Sequence, residues 1–269
     1  MSKKISVISG LHFAKLVFRS LLFLGALITY VLLHLRGEHF SFGSFFERPS
    51  WVLVIVAAVF IVEMLFLFFP SRLESMGCQK QFAKNYIPPS EPLQRPRTFK
   101  TTLLVALLWV GLNALVGAGY LFGLYDEGIL LLVALFYSVC DMICILFYCP
   151  FQTLIMKNKC CGSCRIYNWD YAMMFTPLVF IPSVYAYTLL GVSLLLLLVW
   201  ELTELLHPER FSEHTNECLS CKNCKEKLCH HKKQLRSFLR KNKRLLLLKG
   251  NAIIEKVKTI AKNDKDKKE

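Results

Sequence analysis

Two cysteine-rich segments are the part of this 269-residue sequence best suited to chemistry. One runs from Cys218 to Cys229 and holds four cysteines, separated by two, two and four residues. The other lies upstream and contains Cys160, Cys161 and Cys164. Two cysteines three positions apart in a turn bring their sulfur atoms together at low cost, which is the basic requirement of a thiolate metal site.

The spacing is compatible with two kinds of metal centre. Cys218, Cys221 and Cys224 resemble the ligand run of iron–sulfur ferredoxins, in which three close cysteines bind one cluster. Cys229 departs from that pattern, because it follows after four residues and precedes His230 rather than a proline. Zinc sites also use Cys-x2-Cys pairs, and one pair from each segment would make a tetrathiolate. We predict an iron–sulfur centre, with structural zinc as the first alternative. Thiol redox chemistry or a transient metal such as copper is the third possibility. The predicted ligands are Cys161, Cys164, Cys218, Cys221, Cys224 and Cys229, with Cys160, Cys149 and Cys78 in reserve.

Composition indicates that these cysteines belong to a membrane protein. Hydrophobic residues make up 54% of the chain, and 21 residues are phenylalanine. Four apolar runs are each long enough to span about 30 Å of hydrocarbon as a helix. They cover residues 16–35, 51–69, 101–124 and 128–149. A fifth apolar block covers 171–206.

The net charge of +14 is unevenly placed and predicts the topology. Basic residues gather in 71–100, 157–165 and 210–268, whereas the turn at 125–127 contains no Lys or Arg. This asymmetry is typical of positive-inside topology, and it explains the charge without a nucleic-acid partner. We therefore predict an integral protein of the cytoplasmic (inner) membrane with both termini in the cytosol. Most of the eleven cysteines then face the cytosol, where thiols stay reduced.

The last apolar block allows two topologies. Two short helices, 170–185 and 192–207, joined by an external turn at 187–191, would return the basic tail to the cytosol. One long kinked helix would instead leave that tail outside. We favour the pair of short helices and hence six spans rather than five.

Beyond the cysteines, the tail after Cys229 predicts a basic amphipathic helix. Apolar residues recur among lysines and arginines, and no acidic residue occurs between Glu226 and Glu255. Such a helix would lie on the anionic inner leaflet. The alternative is a solvated helix packed on the protein's own loops.

Polar residues inside or beside the apolar runs form the remaining candidates. Glu63 and Asp141 lie within spans and have no evident basic partner there, so we expect protonated or proton-sharing carboxyls. These carboxyls would form part of a proton or ion path. Alternatively, they would form hydrogen bonds between helices. Cys140 and Cys144 share one helix face, which is typical of packing.

Further polar residues are predicted at the membrane interface. We expect Arg210 to pair with Asp170, and Trp169 and Tyr171 to lie among headgroups. Glu201 and Glu204 would be solvated or would bind a cation.

The predicted fold is an all-α, polytopic membrane bundle of about six helices with a cysteine-rich cytosolic face. Residues 1–150 hold four spans, 151–170 a cysteine-rich loop, 171–207 the last apolar block, and 208–269 the basic cysteine-rich tail. The predicted function is a redox protein that exchanges electrons with a membrane partner or a quinone. The alternatives are a zinc-stabilised scaffold or metal-handling protein, and a proton- or ion-coupled transporter that uses Glu63 and Asp141.

Overall fold

The computed structural model describes residues 7–37, 51–70, 76–90, 99–158 and 161–220, all within one compact unit, 1–226. Every regular element in these ranges is helical. Short 3-10 turns and one π-helical turn join the α-helices. The α-helices are α1 (Val7–Leu35), α2 (Trp51–Phe66), α3 (Met76–Gln81), α4 (Phe99–Leu121), α5 (Glu127–Leu146), α6 (Asp170–Phe175) and α7 (Val184–Leu206).

Four of these helices, α1, α4, α5 and α7, are long and apolar enough to cross a membrane. Helix α2 is equally apolar but has 16 residues, or about 24 Å. Large apolar side chains cover the outside of the bundle, for example Leu21, Leu115 and Leu198 at 64%, 74% and 58% exposure. Lipid solvates such a surface and water does not, so the fold is that of a helical membrane-integral protein.

The first helix is longer than the sequence predicted. It begins at Val7 rather than at residue 16, and it includes the polar residues His12 and Lys15. His12 is only 4% exposed. The residues from Val7 to Lys15, which precede the predicted run, are therefore helical as well, because His12 and Lys15 lie on the face that packs into the bundle.

The last apolar block reverses direction at a different place from the one predicted. Helix α6 continues as a 3-10 helix, Thr176–Phe180, and α7 starts at Val184. The prediction of a turn at 187–191 was wrong, since these residues lie within α7. Pro182 causes the break, because its ring prevents a helical hydrogen bond and disfavours helix at Ile181. Ile181 is accordingly extended, with φ −101° and ψ 110°.

This reversal places the two ends of the block beside each other. Residues of the turn before α6, including Arg165 and Trp169, contact Glu201 near the end of α7. At the other end, the ring of Phe180 lies against Gly117 of α4, where a Cβ atom would overlap it. The block is thus a hairpin with one short leg and one long leg.

Residues 208–220 fold back onto α3. Asn216 is fully buried, and its Nδ2 donates to the carbonyls of Lys80 and Arg210, both at 2.9 Å. Its Oδ1 accepts from the backbone N–H of Cys218 at 3.0 Å. One buried amide therefore sets the start of the cysteine-rich tail, whose remainder and predicted amphipathic helix lie outside the described residues.

Candidate functional site

A cavity lined by cysteines lies where α4, α5 and α6 meet the loop that follows α5. Its volume is about 140 Å³, its lining is almost wholly apolar, and it is partly open. We call it the thiol cavity. Cys140 and Cys144, for which the sequence indicated packing, both line it. The five cysteines that line the cavity are Cys140, Cys144, Cys149, Cys161 and Cys164.

Two of the thiols in this cavity have well-defined surroundings. Cys161 Sγ donates to Gln152 Oε1 at 2.9 Å. Burial raises the pKa of the Cys164 thiol to about 12, so this residue is a neutral thiol at pH 7 unless a metal binds it.

The local fold explains why Cys149 faces the cavity. Pro150 lacks a backbone N–H and cannot extend α5, and the chain instead forms one π-helical turn, Phe151–Ile155. The N–H of Thr153 donates to Cys149 O at 3.1 Å, and the N–H of Gln152 donates to Cys149 Sγ at 3.4 Å. These bonds hold Cys149 at the start of the turn.

Uncharged amides fix the Cys161–Ser163 turn on the other side of the cavity. Gln81 of α3, 1% exposed, donates from Nε2 to Gly162 O at 3.2 Å and accepts at Oε1 from Asn168 Nδ2 at 2.7 Å. Asn158 Nδ2 donates to Ser163 O at 3.3 Å. The turn is therefore held by hydrogen bonds from α3 and from the loop itself.

A buried ion network lies next to the cavity. Arg19 of α1 is 1% exposed, and its guanidinium lies 2.9 Å from Glu63 Oε2 and 2.9 Å from Asp141 Oδ2. Lys15 Nζ is 3.5 Å from Glu63 Oε1. The prediction that the two intramembrane carboxyls lack a basic partner was therefore wrong. We call Lys15, Arg19, Glu63 and Asp141, together with Tyr171 of α6, whose hydroxyl binds Glu63, the ion network.

Further contacts surround Arg19 and Glu63, although Arg19 Nε is buried without a hydrogen-bond partner. Tyr171 OH donates to Glu63 Oε2 at 2.8 Å, and Arg19 also donates to Ser138 O at 3.2 Å. The guanidinium lies over the Phe60 ring, 5.4 Å from its centroid. Tyr171 is 4% exposed, so it is a buried member of this network and not the headgroup residue predicted from the sequence.

One carboxylate joins the network to the cavity. Asp141 lines the thiol cavity and also binds Arg19. Asp170 lines the same cavity and accepts a hydrogen bond from the backbone N–H of the next residue at 2.9 Å.

The predicted ion pair between Asp170 and Arg210 does not form. Arg210 Nε instead lies 3.9 Å from Glu209 Oε1.

A second ion cluster closes the hairpin of the last apolar block. Arg165 donates to Glu201 Oε1 at 2.7 Å and forms an ion pair with Glu204. Trp169 Nε1 donates to Glu201 Oε1 at 2.6 Å. Arg165 thus lies between Glu201 and Glu204. The sequence predicted that these two carboxylates would be solvated or would bind a free cation, and it did not predict this ion pair.

The predicted metal ligands divide into three groups. Cys149, Cys161 and Cys164 share the thiol cavity. Cys78 is 1% exposed in the core, where its Sγ donates to Leu67 O at 3.7 Å. Within the described part of the chain, no three His, Cys, Asp or Glu side chains are arranged to hold a metal ion. The metal site stays a prediction. Cys218 is the fifth predicted ligand that the structure describes, whereas Cys160, Cys221, Cys224 and Cys229 lie outside the described residues.

Fold and sites together define a class, a helical membrane-integral protein with a thiol-lined cavity beside a buried ion network. No protein family, curated protein or solved structure matches this chain. The function is therefore argued from the chemistry of the sites.

Proposed function

We propose that this chain is a membrane-bound redox protein with a thiolate-ligated metal centre that exchanges electrons with a partner in the membrane. An iron–sulfur centre is favoured over zinc because of the spacing in the tail. The observation that carries the proposal is the meeting of cysteines from α5, from its end and from the Cys161–Cys164 segment around one cavity. Sulfur is the ligand atom that iron–sulfur clusters, zinc and copper(I) share.

The proposed orientation is six crossings in the cytoplasmic membrane with both termini in the cytosol. The hairpin supports six crossings over five, because it returns the chain to the end of the bundle from which α6 starts. The cavity loop and the tail then share the cytosolic face, as a common metal centre requires. The basic tail would lie on the anionic inner leaflet.

The structure bears on which cysteines we propose as metal ligands. Cys161 and Cys164 lie together at the cavity and remain the described residues that we propose as ligands, with Cys149 beside them. Cys218 begins the segment that would supply Cys221, Cys224 and Cys229. Cys78 loses support, because its thiol is used in the core.

A zinc-stabilised scaffold is the second candidate. It is favoured by the amides of Gln81, Asn158 and Asn168, which already order the cysteine turn as a structural site would need. The transporter has less support. Each of its two carboxylates has a guanidinium partner in Arg19, which provides a structural reason for both.

Anaerobic purification followed by metal and sulfide analysis tests the proposal. An iron–sulfur protein is brown, contains iron and acid-labile sulfide, and bleaches on reduction, whereas zinc is redox-silent and leaves the protein colourless. We expect Cys161→Ser and Cys221→Ser to deplete the same metal. Cys78→Ser is the matched control, because that thiol lies away from the cavity, and it should keep the metal. Colourless, metal-free protein whose tail and loop cysteines alkylate freely would overturn both candidates.

A further inference from the structure

Helix α3 contacts both cysteine-rich segments of the chain. The first contact is with the turn that carries Cys161 and Cys164. Gln81, 1% exposed, donates from Nε2 to Gly162 O at 3.2 Å and accepts at Oε1 from Asn168 Nδ2 at 2.7 Å. One buried side chain of α3 therefore binds the backbone between the two cysteines and a residue just after them.

The second contact is with the start of the tail. Asn216 is fully buried, and its Nδ2 donates to Lys80 O of α3 at 2.9 Å. Its Oδ1 accepts from the backbone N–H groups of Ile87, at 3.4 Å, and of Cys218, at 3.0 Å. The N–H of Glu217 donates to Ile87 O at 2.9 Å. The residues that lead into the tail are thus tied to α3 and to the chain just after it, and Cys218 is part of this contact.

These two contacts meet on α3 because Lys80 and Gln81 are consecutive residues. Consecutive Cα atoms lie about 3.8 Å apart, so the two cysteine-rich segments are anchored at neighbouring points although they are far apart in sequence. A chain advances by at most about 3.6 Å per residue, which limits the distance between Cys218 and Cys221 to about 11 Å in any conformation. A metal centre with ligands from both segments therefore requires little ordering of the chain beyond what α3 supplies.

We propose that α3 assembles the metal centre, with Gln81 and Asn216 as the positioning residues that hold its two ligand segments side by side. This inference rests on the proposed function, and it states that one centre is shared by the Cys161–Cys164 turn and the tail, rather than a separate site formed in each. Both positioning residues act through the segments that they bind. Residues that orient metal ligands in this way contribute about 10- to 100-fold to metal affinity.

Chemical cross-linking tests the placement of the two segments without any metal. The sample is the full chain in detergent, reduced and freed of metal with a chelator, and the reagent is bismaleimidoethane, a short linker that joins two thiols. We expect peptide mapping to find the Cys161–Cys164 turn joined to Cys218 or Cys221. Asn216→Leu keeps the shape of the side chain but removes its hydrogen bonds, so it should reduce this product at least tenfold. The cross-link within the turn is the internal control and should not change.

Zinc titration measures how much each anchor contributes to metal binding. Zn²⁺ alone is the probe, and its binding to the metal-free protein is followed by competition with a chromophoric chelator. Gln81→Leu and Asn216→Leu should each weaken binding at least tenfold. Gln79→Leu is the matched control, because Gln79 is 8% exposed on the same helix but donates to Phe69 O, outside both cysteine segments. All three variants should melt at a lower temperature, and only the control should keep wild-type affinity.

The outcomes separate this inference from the proposed metal centre. A cross-link between turn and tail in protein that binds no Zn²⁺ would support the placement by α3 and overturn the metal centre. Equally tight binding in the wild type and both anchor variants, or the absence of that cross-link from the wild type, would overturn the role of α3 and leave the metal centre. An equal loss of affinity in Gln79→Leu would also overturn it, because the effect would then follow stability alone. If Asn216→Leu does not fold, the wild-type cross-link and Gln81→Leu decide the matter.

Discussion

The ion network and the thiol cavity are neighbours that share Asp141, yet they satisfy their polar groups in opposite ways. In the network, the carboxylates of Glu63 and Asp141 face a guanidinium, and Glu63 also binds a phenol. In the cavity, neutral thiols line an open space. Buried charges need fixed partners, because an unpaired charge in a low-dielectric interior is costly. Thiols carry no such cost, so they can surround a space that a ligand enters.

This contrast assigns different roles to the two regions. The network ties α1, α2, α5 and α6 together, since its members come from all four helices. The cavity has a fixed frame, with its loop held by the amides of Gln81 and Asn158. Substitutions in the network should therefore reduce stability first, and those among the cavity thiols should change chemistry first.

The largest expected effect is in the network. Arg19→Met leaves Glu63 and Asp141 buried without their main cation, which costs about 3–5 kcal/mol when one partner of a buried pair is removed. We expect a large fall in melting temperature in detergent or failure to accumulate in the membrane.

The matched control removes the stranded charges as well. The triple variant Arg19→Met, Glu63→Gln, Asp141→Asn should recover most of the lost stability, because neither carboxylate is left charged without its guanidinium. A fully stable Arg19→Met protein would show that the network is not structural and would return Glu63 and Asp141 to the transporter hypothesis.

Much of the fold could be predicted from the sequence, because apolar length is a strong signal. The helices α2, α4 and α5 lie close to the predicted runs 51–69, 101–124 and 128–149. The reversal was predicted at 187–191, which ends at Gly191, but it lies at Pro182. Glycine is tolerated inside an apolar helix, whereas proline removes a backbone donor.

The sites were harder to predict, because they depend on which faces meet. Arg19 lies inside the first predicted run, and a charge at such a depth is itself a signal for a buried partner. Lys15 and Arg19, four positions apart, mark the face of α1 that packs inward. For the cavity, the spacing of Cys161 and Cys164 pointed to a thiol site. That α5 supplies Cys140 and Cys144 to the same site is a tertiary fact that local spacing does not contain.

A smaller effect is expected where the extension of α6 packs on α4. The 3-10 helix Thr176–Phe180 extends α6 and rests on α4, with the Phe180 ring against Gly117. Gly117→Ala should displace that ring and destabilise the protein by about 1–3 kcal/mol, the usual cost of overpacking. Gly111→Ala on the same helix is the control, because a Cβ there meets no atom within 4 Å. Equal melting temperatures for the two variants would contradict the packing of α6 on α4.

The smallest expected effect is at Tyr171, and it tests whether the ion network acts on the thiol cavity. Tyr171→Phe removes the hydroxyl that donates to Glu63 Oε2 at 2.8 Å but keeps the ring that stacks near Arg19. Hydrogen bonds between membrane helices contribute about 0.6 kcal/mol on average, so a small loss of stability is expected. Tyr187→Phe, at 51% exposure on α7, is the control and should melt like the wild type. Because Tyr171 does not line the cavity, both variants should keep wild-type metal content. A loss of metal in Tyr171→Phe alone would show that the network acts on the chemistry of the cavity and would end the division of roles argued above.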